Sequence, residues 1–194
     1  MGLSVMILGL LLFFGVHLVS TRRDLRGQLV ARFGESLYKL GYSLVAAIGL
    51  ALIVWGFANY RANGWIDVWY PPHFMKHITV ALMLPAVILI AAAYLRGRIY
   101  LAVKHPMLTA VKLWALAHLL TNGDLGSIFL FGSFLAWAVY DRISLKRRSD
   151  PGSPPIPVGG LGNDAIAVAV GVVAYVALGF AFHPVVIGVP VFGA

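Results

Sequence analysis

The sequence predicts an all-α, polytopic integral membrane protein: a helical bundle of about six transmembrane helices, with a helical hairpin at spans four and five. Three observations carry this expectation. The 194 residues are 60% hydrophobic and 11% charged, with a mean hydropathy of +0.87, whereas soluble domains are about 45–50% apolar and about 25% charged. The apolar residues gather into six runs, roughly 3–19, 36–58, 74–95, 106–121, 125–140 and 164–182. The cations are sorted by side. Of fifteen Lys plus Arg, twelve (Arg22, Arg23, Arg26, Arg32, Lys39, Arg96, Arg98, Lys104, Arg142, Lys146, Arg147 and Arg148) fall in or beside the first, third and fifth connections. Two, Arg61 and Lys76, lie in or beside the second, and Lys112 lies inside a span. Basic loops resist translocation, so both termini are expected outside.

Span one, Met1 to Val19, has its positive charges after it, at Arg22 and Arg23. A secretory signal carries them before its apolar run, so an uncleaved first helix is expected. Glu35, the one glutamate, opens span two, where an acidic residue meets the positive end of the helix dipole. Trp65, Trp69 and Tyr70, next to Pro71 and Pro72, form an aromatic belt at the outer interface before span three. Span four opens on His105 and Pro106; proline suits a helix start because its missing N–H has no partner there in any case. Asn122, Gly123 and Asp124 turn the chain into span five, with Asp124 the expected cap. Residues 149–163 hold four prolines and four glycines and read as a flexible cytoplasmic linker before span six. Gly9, Gly49 and Gly126 are expected to permit close helix packing. One domain, 1–194, is the expected organisation, since no internal repeat or soluble module is visible.

Composition also excludes functions. The net charge of +8 and pI near 10.1 are spread over juxtamembrane loops, which suits anionic headgroups rather than nucleic acid. With no cysteine there is no disulfide, thiol nucleophile, iron–sulfur ligation or Cys-type zinc site. Carboxylates are too few for a paired-carboxylate hydrolase. Histidine is left as the residue to hold a metal or cofactor. His73 and His183 sit at outer span ends and need no special role. His17, His77, His105 and His118 are the candidates. His17 and His118 lie amid apolar side chains, where an imidazole must find a partner: either a neighbouring carbonyl or hydroxyl, or an iron shared with an imidazole on a facing helix. Lys112 can snorkel to the interface or pair with a haem propionate.

The segments "LFFGVHLVSTRR", "AAYLRGRI" and "KHPMLTAVKLWALAHLLTNGDLGSIFLFGSFLAWAVYDRISLKRR" resemble the NnrU family of bacterial membrane proteins over almost the whole chain. That family takes its name from nitrite and nitric oxide metabolism in denitrifying bacteria. Its relatives include the 15-cis-zeta-carotene isomerase, a membrane enzyme whose haem b is held by two histidines. The resemblance implies a multi-pass protein of the bacterial inner membrane with periplasmic termini. It further implies haem b ligated by His17 and by His118 of "WALAH", with Lys112 or Arg22 as propionate partner and a lipid-soluble small molecule as substrate. Ala115 stands where the isomerase has a cysteine linked to redox-dependent ligand switching, so thiolate exchange is excluded there. A non-enzymatic assembly or scaffold protein without cofactor is the alternative. The His-Pro hairpin also resembles isoprenylcysteine-type methyltransferases, but Met107, Leu108 and Thr109 follow it, and 144–162 holds no glutamate.

At roughly 1.5 Å per residue, His17 lies about 5 Å from the cytoplasmic boundary, and His118 about 18 Å if span four begins at Pro106. Taking Lys112 as the boundary reduces that to about 9 Å. Otherwise the level pairs are His17 with His105 and His77 with His118.

Overall fold

A computed structural model describes residues 1–147 and 157–192. The chain is helical, with no strand among the described residues. Among the described residues eight α-helices follow in order: α1 (Gly2–Thr21), α2 (Arg23–Phe33), α3 (Glu35–Asn63), α4 (Met75–Tyr94), α5 (Arg98–Val103), α6 (Pro106–Thr121), α7 (Leu125–Arg147) and α8 (Leu161–Ala177). A π-helical segment, Leu178–Ile187, continues α8. Among the described residues five helices are long and apolar enough to cross a bilayer: α1, α3, α4, α7 and the combined Leu161–Ile187. The sixth expected span, α6, has sixteen residues.

The burial pattern is that of a helical membrane bundle. Large apolar side chains such as Leu44, Val54, Trp55 and Val173 are exposed, while Ala86, Ala110, Ala115, Ala117, Ala138 and Ala167 are completely buried. Lipid tails are as apolar as leucine, so helices in a bilayer associate by close packing of small residues. Arg23–Phe33 and Arg98–Val103, expected as basic loops, are short helices. The first has local causes: Asp24 in its first turn, Arg32 in its last, and Gly34 beyond it at φ +81.

The chain divides into two compact units. Unit 1 comprises residues 1–70 and 123–133; unit 2 comprises 71–122 and 134–194. In unit 1, α1 packs along α3 through facing glycines. A Cβ added to Gly9 would stand 2.7 Å from the Gly49 carbonyl oxygen and from the Ile53 nitrogen, and one on Gly49 would stand 2.8 Å from the Phe13 nitrogen. Gly126 meets the Tyr60 ring in the same way. All three glycines thus occupy close-packing positions, as expected. Tyr60 is buried, and its hydroxyl accepts from Ile66 N–H at 3.0 Å. The belt loop is tied down by Val68 N–H to the Gly123 carbonyl (2.9 Å) and Leu125 N–H to the Ile66 carbonyl (2.9 Å). Asp124 is the expected cap: its Oδ1 accepts from Ser127 N–H at 2.9 Å.

In unit 2, α4 packs against both α6 and α8. Gly171 of α8 lies against Ile88, where a side chain would collide. The Tyr175 hydroxyl donates to the Val80 carbonyl at 3.0 Å. Asp164, in the first turn of α8, accepts from Arg98 N–H (2.9 Å) and Ile99 N–H (3.0 Å), closing the open start of α5. Of the expected flexible linker, 149–156 lies outside the described residues. Its described end is anchored: Gly159 N–H donates to the Arg96 carbonyl at 2.8 Å, and Asn163 Nδ2 donates to the same oxygen at 3.3 Å.

Gly49→Leu puts four heavy atoms where the α1 backbone runs, and overpacking of that kind costs about 1–3 kcal/mol or more. Thermal unfolding in detergent is expected to shift down by several degrees, while Gly41→Leu, at a position with no neighbour within 4 Å, leaves the midpoint unchanged.

Candidate functional site

His118 occupies the last turn of α6. Ala115 and Ala117, both fully buried, let the helix approach α4, where the Thr79 hydroxyl donates to the Ala117 carbonyl at 2.7 Å. The His118 Nδ1 lies 2.8 Å from the Trp114 carbonyl oxygen one turn back. A carbonyl only accepts, so Nδ1 carries the hydrogen and Nε2 is the lone-pair nitrogen. Trp114 tilts against the imidazole at 5.4 Å between ring centres and meets Phe134 edge-on at 5.3 Å. Bond and ring contact together fix the orientation of His118.

His17, in unit 1, is held in the same way. Its Nδ1 lies 2.6 Å from the Phe13 carbonyl oxygen, which again assigns the hydrogen to Nδ1 and the lone pair to Nε2. The ring stacks on Phe13 at 4.1 Å and 28° and tilts toward Tyr42 at 5.4 Å. Two histidines from different helices therefore share one tautomer, each set by the carbonyl four residues earlier. A histidine that ligates a metal commonly gives its other N–H to a carbonyl in this way.

Beside His118, unit 2 holds a partly open cavity of about 60 Å³ lined by residues that include Thr79, Met83, His118, Tyr175, His183 and Phe192. His183 was expected at an outer span end with no special role. Instead the helix runs on past it to Ile187, and its ring centre stands 6.1 Å from that of His118 with 33° between planes. Among the described residues no three or more His, Cys, Asp or Glu gather as a metal site. Imidazole nitrogen is a donor that haem iron accepts.

The other expected site residues are more scattered. Lys112 is half-buried in α6, six residues or about 9 Å along the axis from His118, and does not line the cavity. Arg22 is exposed at the junction of α1 and α2. His77 is exposed near the start of α4; Thr79 and Val80, just beyond it, line the cavity but His77 does not. His105 stands before α6, thirteen residues and about 20 Å of helix rise from His118.

The family profile described as NnrU protein matches residues 5–191. No curated protein and no solved structure matches the chain.

His105 follows a tight turn: its N–H donates to the Val103 carbonyl at 2.8 Å across Lys104, whose φ is +65. Burial lowers its pKa from the ordinary 6.5; the Arg142 cation lowers it further, and Asp141 opposes. With the folded pKa depressed, the unfolded chain takes up the proton first as pH falls. The contribution is thus complete above about pH 6.5 and lost on acidification. Between pH 7 and pH 5 the unfolding midpoint is expected to fall more for the wild type than for His105→Asn; parallel profiles would remove this role.

Proposed function

The chain belongs to the NnrU family, and from that premise we propose that it is a membrane haem protein. In this reading haem b is held by the Nε2 atoms of His118 and His17, and the protein acts in redox metabolism linked to nitrite or nitric oxide. The observation that carries the reading is the shared arrangement of the two imidazoles, each with its Nδ1 hydrogen directed to the carbonyl one turn back, at Trp114 and at Phe13. That arrangement directs Nδ1 to the backbone and leaves Nε2 as the nitrogen that would meet a metal, and a carbonyl partner of this kind raises the basicity of a ligating imidazole.

Bound there, haem would supply one-electron chemistry. What the chain itself contributes is orientation and exclusion of water. Trp114, itself against Phe134, flanks His118, and Phe13 and Tyr42 flank His17; an apolar setting of this kind tunes the potential of an iron centre. Lys112 and Arg22 are the cations proposed to meet the propionates. An isomerase-like activity on a lipid-soluble polyene is the enzymatic form of the proposal. The test for it is conversion of cis zeta-carotene in a carotenoid-producing host that lacks its own isomerase.

A second reading rests on the same hydrogen bonds. An imidazole bonded to the preceding turn is already satisfied inside the bilayer, as a cofactor-free assembly or scaffold protein requires. Spectroscopy separates the two. Purified after expression with ample haem, the protein is expected to show a Soret band that His118→Ala abolishes and His77→Ala leaves in place. A cofactor-free wild type would instead select the scaffold reading.

The charge asymmetry supports placement in the bacterial inner membrane with both termini periplasmic. Because the chain has no cysteine, single cysteines report topology directly. An impermeant maleimide is expected to label His73→Cys in intact spheroplasts, and Gln28→Cys only after lysis. The reverse pattern would invert the proposed orientation.

A further inference from the structure

We infer that α2 is an interfacial helix that holds an anionic phospholipid of the adjoining leaflet, its headgroup phosphate resting on Arg23 and Arg26 beside Tyr38 of α3. The place of the helix in unit 1 is the first support. α1 and α3 run antiparallel, with Gly2 against Tyr60 and Gly9 against Gly49. Thr21, which ends α1, and Glu35, which opens α3, therefore stand at the same end of the pair, and α2 joins them there. Its eleven residues rise about 16 Å, too little to cross a hydrocarbon layer of about 30 Å. A helix so placed meets the membrane surface.

The pattern of its residues is the second. No residue of α2 is buried, and Leu25 and Phe33 are 39% and 49% exposed. Leu25, Leu29 and Phe33, spaced four apart, form one apolar stripe, which at about 100° per residue has Arg26 at one edge and Arg32 at the other. The described residues do not bury that stripe. Arginines that flank an apolar stripe reach past it to the headgroups. The stripe thus enters the acyl boundary while the guanidinium groups stay level with phosphate.

The third support is a set of donors that the chain itself does not serve. Of Arg22, Arg23, Arg26, Arg32 and Lys39 at this end, only Lys39 has an ion pair among the described residues, with Glu35 at 2.8 Å. Asp24, the other carboxylate here, is one residue on from Arg23 and so about 100° around the axis. Arg23 and Arg26, three apart, share a face of α2, and the Arg26 guanidinium stands 5.7 Å from the centre of the Tyr38 ring. Arg23 Nε and the Tyr38 hydroxyl are buried without a hydrogen-bond partner among the described residues, an unfavourable state for a polar group. Phosphate suits these donors. Its oxygens accept several bonds at once, and a guanidinium meets them through paired N–H groups. Contact asks the Arg23 side chain to turn its head outward, which its flexible stem allows.

The test titrates the full chain, purified in a neutral detergent, with short-chain phosphatidylglycerol or phosphatidylcholine and counts bound lipid by native mass spectrometry. The wild type is expected to hold phosphatidylglycerol at least about tenfold more tightly than phosphatidylcholine, and raised salt to weaken that preference. A basic residue near an anionic surface contributes roughly fivefold. Replacing three together, as Arg23→Gln, Arg26→Gln and Arg32→Gln, is therefore expected to lose at least about tenfold in phosphatidylglycerol affinity. The triple variant Arg98→Gln, Lys146→Gln and Arg147→Gln makes the same change in net charge at exposed positions of other helices and is expected to keep most of the affinity. Equal loss in the two triple variants assigns the attraction to overall charge and overturns the site, as does equal affinity of the wild type for the two lipids. Should the α2 triple variant fail to elute as a monodisperse species, Arg23→Gln alone decides: about a fivefold loss is expected, and unchanged affinity overturns the site.

Discussion

Inside a bilayer no water is present to complete a hydrogen bond, so every polar group in a span must find its partner within the protein. Most features of this chain follow from that constraint. Side chains with polar atoms turn back to carbonyls of their own or a neighbouring helix: Thr21 to Leu18, Ser20 to His17, Thr79 to Ala117, Tyr175 to Val80, and both His17 and His118 to the carbonyl one turn earlier. For the hydroxyls the bond ends the matter. An imidazole so bonded has a second ring nitrogen besides, the atom that the haem reading proposes as a ligand.

The same solvent dictates how the helices meet. With no water to expel between them, α1 and α3 are held by the closeness of approach that Gly9 and Gly49 allow, and α4 and α8 by Gly171 against Ile88. Buried alanines on α6 do similar work beside α4. Many leucines, valines and phenylalanines, which would form the core of a soluble protein, face outward instead, while Leu10, Val87, Leu108 and Phe131 are buried. Asp164 departs from this pattern: a buried carboxylate used to close the start of α5.

Much of this was legible in the sequence because lipid solvation writes itself in long apolar runs and sorted charges. Pro106 marked the start of α6 and Asp124 the start of α7, since proline and aspartate act there through purely local chemistry. The glycines were legible for the same reason. The short helices α2 and α5 were not expected, because basic residues dominated the reading of those connections; Asp24, Arg32 and Gly34 were the available signals for the first. The place of His183 was beyond sequence reasoning. It depends on π-winding over ten residues, which no 3.6-residue period anticipates, and on Phe192 returning to cover Gly179. The tautomers of His17 and His118 likewise required coordinates, although an imidazole deep in an apolar run already implied a carbonyl partner.

The brevity of α6 has an effect on the membrane itself. Sixteen residues rise about 24 Å, short of the roughly 30 Å hydrocarbon layer. Set across a bilayer, a helix of that length would leave a hydrophobic mismatch of about 6 Å, the kind relieved by thinning of the surrounding lipid or by entry of headgroups above the helix end. His118 lies in its final turn, so such a deformation would fall beside the imidazole rather than at a remote point, and lipids of different acyl length would be the means of varying it.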